Sequence, residues 1–366
     1  MKFSIAKEDI QRELQLLQGI VEKRNTMPIL ANILINASDN EVELTGTDLE
    51  VGLKTHFSAD IEDEGGITIS GKKLFEIVRS LAEDKKVTFH ESDSLVMEIT
   101  SGESQFKVLC LPKEDYPQVP EPKFEKKIVL PLEEVKDMIE RVYFAITQEQ
   151  RYYLNGALMI LKDNSIEMIS TDGHRLAYTS MMLDNLNVEK EIKGIVSKKT
   201  LNELRKFEDD TLEFDLDENN LFFKVKNRTL ISRIIEGKFP NYEAVIPQDN
   251  TNAMVFSREE VTDAIRRVSL LSTERSRGIK FNIEKKQMRL FSSNPEIGEA
   301  RDKVDVDYDG ENLEIGFNSQ YILDFLTTVK SDRVRCEMKD ENSAVLLRPE
   351  TEGGIRYLYV LMPMKI

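Results

Sequence analysis

At 366 residues, with 40% apolar and 32% charged side chains, the chain exceeds what one hydrophobic core organises and is too apolar to stay disordered, so two or three domains are expected. A formal charge of −16 argues against tight wrapping of nucleic acid by the whole surface, yet leaves room for a local basic face, because fields are screened within about 8–10 Å in physiological salt. Lys7, Glu8, Asp9 and Arg12 interrupt any leader-like apolar stretch and no run approaches ~18 apolar residues, so neither a secretory signal nor a membrane span is expected and the chain reads as cytoplasmic.

The first element, KFSIAKEDIQRELQLL (2–17), predicts a short strand, a polar turn, an acidic pair and an amphipathic helix, with Glu8 and Asp9 suited to the positive helix N-terminus. VELTGTDLEVGLKT (42–55) reads as a hairpin, and TISGKKLFEIVRSL (68–81) as a strand, a Ser cap and a second helix over about 72–82. After the Pro-rich connector PKEDYPQVPEPKFEKK (112–127) the series begins again. VLPLEEVKDMIERVYF (129–144) matches the first helix, NSIEMISTDGHRLAYTS (164–180) the hairpin, and IVSKKTLNELRKF (195–207) the second helix, over about 198–207. TLEFDLDENNLFFKV (211–225) alternates with period two about an Asn219-Asn220 turn. A second connector, EGKFPNYEAVIPQDNTN (236–252), leads to VFSREEVTDAIRRVSL (255–270), MRLFSSNPEIGEA (288–300) and GFNSQYILDFLTTV (316–329). The acidic pairs Glu8-Asp9, Glu133-Glu134 and Glu259-Glu260 recur after 125 and 126 residues. The economical reading is α+β: three copies of one domain, each with two helices and antiparallel sheets.

A repeated domain points to an extended surface, and the reactive groups agree. GITISGKK (66–73) has the G-x-x-x-x-G-K spacing of a phosphate loop, but Lys73 replaces the Ser or Thr that binds magnesium, and ITIS reads as a strand. His56 and His90 stand in strand-like segments without the second His or Cys that a metal needs. Cys110 and Cys336, far apart and outside any C-x-x-C, read as buried apolar residues. His174, between Asp172 and Arg175, has no nucleophile elbow to serve, and Asp172-Gly173 reads as a turn. No catalytic residue, metal or cofactor is expected. The helices meanwhile place cations away from their apolar stripes: Lys72, Lys73 and Arg79 on the first, Lys198, Lys199, Arg205 and Lys206 on another, and Arg266 and Arg267 on a third. Glu76, Glu203 and Asp263 dilute those faces, which suits weak phosphate contact.

RYYLNG (151–156), TDGHRLA (171–177), GKFPNYEAVIP (237–247) and the terminal VLMPMKI (360–366), together with the threefold repeat, resemble the bacterial DNA polymerase III β subunit family, the sliding clamps, over the whole chain. The resemblance implies clamp-type domains at 1–122, 128–248 and 252–366 that close as a homodimeric ring with helices inside. Twelve helices at about 9 Å spacing would leave a hole of roughly 25 Å, so DNA is held by topology and without sequence readout. The implied function is a non-enzymatic processivity factor. By resemblance Arg24, Gln148, Arg151, Tyr152 and Tyr153 face DNA or the ring entrance, joined by Lys72, Arg79, Lys198, Lys199 and Arg266 from the helix periodicity. The resemblance also implies a peptide-binding pocket at Leu154, Thr171, Gly173, His174, Arg175, Leu176, Pro240, Val245, Val360, Met362, Pro363 and Met364, with Arg175 supplying a rim hydrogen bond. Its partners would be the replicative polymerase alpha subunit, the clamp loader, repair and translesion polymerases, mismatch-repair proteins and ligase, each through a short linear peptide. A dimer interface is implied at Phe106, Val108 and Leu74 against Leu270 and Leu271. Ala244 departs from the Arg of familiar relatives and suggests an altered pocket rim. The competing readings are a nucleotide-dependent DNA-processing enzyme and a monomeric peptide-binding scaffold.

Overall fold

A computed structural model describes all residues except 22–26, 93–94, 125–127, 148–151, 185, 187, 189, 274–276 and 352. Among the described residues the elements fall into one order repeated three times. The first repeat runs β1 (Lys2–Ala6), α1 (Lys7–Leu17), β2 (Asn32–Ser38), β3 (Glu41–Thr47), β4 (Val51–Ser58), β5 (Asp60–Asp63), β6 (Gly65–Ser70), α2 (Gly71–Ser80), β7 (Lys86–Glu91), β8 (Val96–Ser101), β9 (Ser104–Leu109) and β10 (Leu111–Pro112). The second runs β11 (Ile128–Pro131), α3 (Leu132–Tyr143), β12 (Gly156–Lys162), β13 (Ser165–Thr171), β14 (Arg175–Met182), β15 (Ile192–Ser197), α4 (Lys198–Leu204), β16 (Thr211–Leu216), β17 (Asn220–Val225) and β18 (Arg228–Arg233). The third runs β19 (Asn252–Ser257), α5 (Arg258–Ser269), β20 (Gly278–Glu284), β21 (Gln287–Asn294), β22 (Gly298–Asp305), β23 (Leu313–Asn318), α6 (Ser319–Thr328), β24 (Arg333–Met338), β25 (Val345–Pro349) and β26 (Ile355–Leu361). Apart from the short β5 and β10, the three orders are identical.

The helix signals act as the residues dictate. Ser70, Ser257 and Asn318 cap α2, α5 and α6 by accepting from Lys73, Glu260 and Gln320 backbone N–H groups. Acidic pairs occupy the first turns of α1, α3 and α5, and the apolar stripes Ile10, Leu14, Leu17 and Val261, Ala264, Ile265, Val268 are buried. Helices α2 and α4 are shorter than their periodicity suggests, ending at Ser80 and Leu204. The turn after β16 is built by Asp217, whose carboxylate accepts from the Asn219 and Asn220 backbone, so Asn220 opens the strand. Cys110 follows β9 and Cys336 lies on β24; both are buried free thiols, and burial pushes them up to about 11 and about 12.

The strands form two compact units. The first, Met1–Val135 with Lys199–Ile234, holds a sheet of order β5-β1-β7-β8-β9 and a nine-stranded sheet of order β10-β6-β2-β3-β4-β18-β17-β16-β11. The second, Lys136–Lys198 with Ile235–Ile366, holds the orders β15-β12-β13-β14-β26-β25-β24-β19 and β22-β21-β20-β23. Each repeat therefore supplies two four-stranded sheets, each extended in the first repeat by one short strand, β5 or β10, and the long sheets are fusions: β4 of the first repeat pairs with β18 of the second, and β14 of the second pairs with β26 of the third. The central repeat is shared between the units.

Candidate functional site

The turn between β13 and β14 is held by local hydrogen bonds. Asp172 Oδ1 accepts from the His174 and Arg175 backbone N–H groups, Thr171 Oγ1 donates to the Arg175 carbonyl and accepts from Gly173 N–H, and Gly173 takes the left-handed φ of 90°. The first repeat builds the same turn from other residues. Asp48 accepts from the Glu50 and Val51 backbone, Thr47 Oγ1 donates to the Val51 carbonyl, and Leu49 sits at φ 79°. A turn reproduced without His or Arg is structural. His174 is exposed, and Asp172 turns its other oxygen to Arg175 at 2.9 Å, so no acid–His–nucleophile relay forms. Among the described residues no group of three or more His, Cys, Asp or Glu side chains could hold a metal.

Arg175 corrects one expectation. Its side chain is 9% exposed, with Nε donating to Asp172, Nη1 to Asp324 on α6 at 2.6 Å and Nη2 to the Phe144 carbonyl at 2.7 Å, and its guanidinium lies 4.2 Å from the Tyr321 ring. Burial works against its charge, but Tyr359, Asp324 and Asp172 outweigh that and raise its pKa. It is a buried strut, not a rim donor.

Beside the turn lies an apolar cluster on one face of the eight-stranded sheet. On β26 the alternation separates two faces: Tyr357 and Tyr359 donate to carbonyls of Arg141 and Tyr321 on α3 and α6, whereas Leu358 and Val360 join Leu158, Ile169, Leu176 and Tyr178 on the other face. The segment from Ile235 to Ile246 packs on this face through Phe239 and Tyr242. Tyr242 stacks on Tyr178 at 6.0 Å and donates to Glu167 at 3.1 Å. Leu154, Thr171, Leu176 and Val360 are buried; Gly173, His174, Pro240, Val245 and Met362 are exposed; Pro363 and Met364 are half-buried. The tail is fixed by Met362 N–H to the His174 carbonyl and Met364 N–H to the Gly316 carbonyl. Phe239, Tyr242 and Ile246 were missed as pocket residues, although the FPNY segment already carried two aromatics. Ala244 is exposed.

The DNA-facing set divides. Arg24, Gln148, Arg151 and the side chain of Tyr152 lie outside the described residues. Lys72, Arg79 and Arg266 are exposed, with Lys72 3.6 Å from Glu76 and Arg266 3.6 Å from Asp263. Three of the set are engaged within the chain. Lys198 is half-buried, donates to the Ile146 carbonyl at 2.9 Å and lies 5.0 Å from the Tyr143 ring; burial and then Arg175 lower its pKa. Lys199 reaches back to Asp48 at 2.5 Å and the Ile20 carbonyl at 3.0 Å. Tyr153 packs against the apolar cluster. At the sheet edges, Phe106 and Val108 on β9 are half-exposed, Leu270 is 77% exposed and Leu271 half-buried, while Leu74 is fully buried and faces its own core. Leu109, 83% exposed on the same edge, was not anticipated.

Comparison with known proteins agrees along the whole length. Residues 1–120, 129–241 and 243–365 match the family models for the DNA polymerase III beta subunit N-terminal, central and C-terminal domains. The chain is 35% identical to the beta sliding clamp of Pseudomonas putida and 32% identical to that of Escherichia coli K12, with all of each chain covered. Among solved structures, the DNA polymerase III subunit beta of Pseudomonas aeruginosa superposes with a TM-score of 0.95 at 32% identity, and a sliding clamp from Bartonella birtlesii bound to griselimycin with 0.94 at 33%, both over complete chains.

Proposed function

This chain belongs to the DNA polymerase III beta subunit family and is a sliding clamp, a non-enzymatic DNA polymerase processivity factor, and we propose that it acts as a homodimeric ring around duplex DNA. One observation carries the ring. Each repeat presents its hairpin strand (β4, β14, β22) to the last strand of the next repeat (β18, β26), which leaves β22 and β9 as the unmatched ends of the series. A second copy pairing β9 with β22 at two junctions closes it and covers Phe106, Val108, Leu109 and Leu270. The domains are taken as 1–122, 128–248 and 252–366.

DNA would be held by topology, with exposed Lys72, Arg79 and Arg266 centring it through weak phosphate contact. The apolar cluster bordered by His174, Val245 and Met362 would receive short Leu- and Phe-bearing peptides from the replicative polymerase alpha subunit, the clamp loader, repair and translesion polymerases, mismatch-repair proteins and ligase. Its site of action would be the cytoplasm. Because Val245 is 43% exposed, Val245→Asp should leave thermal stability unchanged and weaken such a peptide about tenfold in a fluorescence-anisotropy titration.

The ring is tested on nicked circular plasmid with clamp loader and ATP, followed on a sizing column before and after restriction cutting. Retention that ends on linearisation is expected. Retention on linear DNA would mean direct binding, and none on circular DNA despite an active loader would favour a peptide-binding scaffold.

A further inference from the structure

We propose that the core of the third repeat is a binding site for a small neutral apolar guest, at a place where the other two repeats carry a phenylalanine ring. The strand ahead of the first helix fixes the match between repeats. Phe3, Ile128 and Met254 each stand four residues before the helix starts at Lys7, Leu132 and Arg258. On the next strand Phe3 pairs with Phe89, Ile128 with Phe214 and Met254 with Cys336. One strand further the partners are Ile99, Phe223 and Leu347. Each of the first two rows contains a pair of rings in contact, Phe3 on Phe89 with centroids 4.8 Å apart and Phe214 on Phe223 at 5.4 Å. The third row, Met254, Cys336 and Leu347, is buried and holds no ring, so Cys336 occupies the place of Phe89 and Phe214 with a much smaller side chain.

The facing sheet makes up only part of the loss. Phe317 stands two residues ahead of α6, where Ile69 and Val196 stand ahead of α2 and α4. Phe281 pairs with Ile315, where the other repeats pair Ile35 with Ile67 and Met159 with Gly194. These two rings meet edge to face at 5.7 Å, and both line a remaining cavity of about 30 Å³ together with Met254, Met288, Cys336 and Leu347. One water needs about 10–15 Å³ and two to four polar partners, so the space suffices but the walls, apolar throughout, offer a water nothing. The guest that fits therefore has roughly two or three heavy atoms, no charge and no hydrogen-bonding group, as in xenon or a short hydrocarbon. It would be held by dispersion alone, and the flexible, polarisable thioethers of Met254 and Met288 can adjust around it. The cavity is separate from the apolar cluster beside the Thr171 turn: Leu361 lines it, whereas the preceding Val360 points to the opposite face of β26.

Xenon is the probe, read by its NMR shift with the full chain under rising gas pressure. The unmodified chain should give a saturable shift; one that stays linear with pressure, as from an exposed surface, would overturn the site. Two variants locate it. Cys336→Leu fills part of the cavity, so it should abolish the saturable shift and raise the melting temperature by about 2–4 °C. Cys336→Ala enlarges the cavity, so it should tighten xenon binding and lower the melting temperature by a similar amount. Saturable binding that persists unchanged in Cys336→Leu would place the guest elsewhere and contradict the assignment. Should Cys336→Leu fail to fold, the alanine variant decides alone: weaker xenon binding in it would count against the cavity.

Discussion

The two junctions within the chain share one topology and are locked by different chemistry. At β4–β18 a single carboxylate does the work: Glu13 of α1, 6% exposed at its side chain, accepts two hydrogen bonds from Arg228 at 2.9 and 2.6 Å and one from Thr55. At β14–β26 the cation sits centrally, with Arg175 between two carboxylates and a carbonyl, next to an aromatic stack in which Phe325 lies 5.1 Å from Tyr359 and Phe144 5.6 Å from Tyr359. The second arrangement distributes its support over several elements, and the outer face of the same sheet carries the apolar cluster. A junction with redundant internal ties leaves its other face to carry an apolar cluster without loosening the seam.

That contrast can be broken by removing single partners. Glu13→Gln should cost about 3–5 kcal/mol in denaturant unfolding, since Arg228 loses its carboxylate partner while still buried. Asp324→Asn should cost less, about 1–2 kcal/mol, because Arg175 keeps Asp172 and the Phe144 carbonyl. Equal losses would mean that the redundancy at the second junction is illusory.

A smaller effect should appear with pH. Burial pushes the Asp137 carboxyl up, but hydrogen bonds from Lys330 and Arg141 outweigh burial and hold it below the ordinary 3.8. A depressed folded-state value contributes stability above pH 3.8 that is lost as the pH falls through the lower folded value. Asp137→Asn should therefore lower stability at neutral pH and flatten the acid limb of the stability curve. An unchanged acid limb would exclude that role. The smallest change lies in the paired turns. Leu49 bears the left-handed φ that glycine takes at 173, so Leu49→Gly should stabilise by about 0.5 kcal/mol and Gly173→Ala destabilise by about 1 kcal/mol, both read from melting temperature.

The threefold repeat was legible because its signals are local: an acidic pair ahead of a helical stripe, a Ser or Asn cap, and, in two of the three repeats, a Thr-Asp turn. The apolar cluster beside the turn was partly legible for a similar reason, since Leu176 and Val360 stand in quotable motifs. What stayed hidden depends on segments far apart in the chain meeting. Lys199 looks like a free cation on its helix, but its amine is taken by Asp48, 151 residues away. Arg175 reads as a rim group until Asp324, 149 residues on, is seen beside it.

If two copies close the series of repeats at β9 and β22, a covalently closed ring should be trapped on circular DNA. A chain carrying one cysteine on β9 and one on β22 would be loaded on nicked circular plasmid, oxidised, and treated with denaturant. Protein that remains with the circle and leaves once the plasmid is cut is the predicted result. Release from the intact circle by denaturant, with the cross-links formed, would contradict closure at these edges.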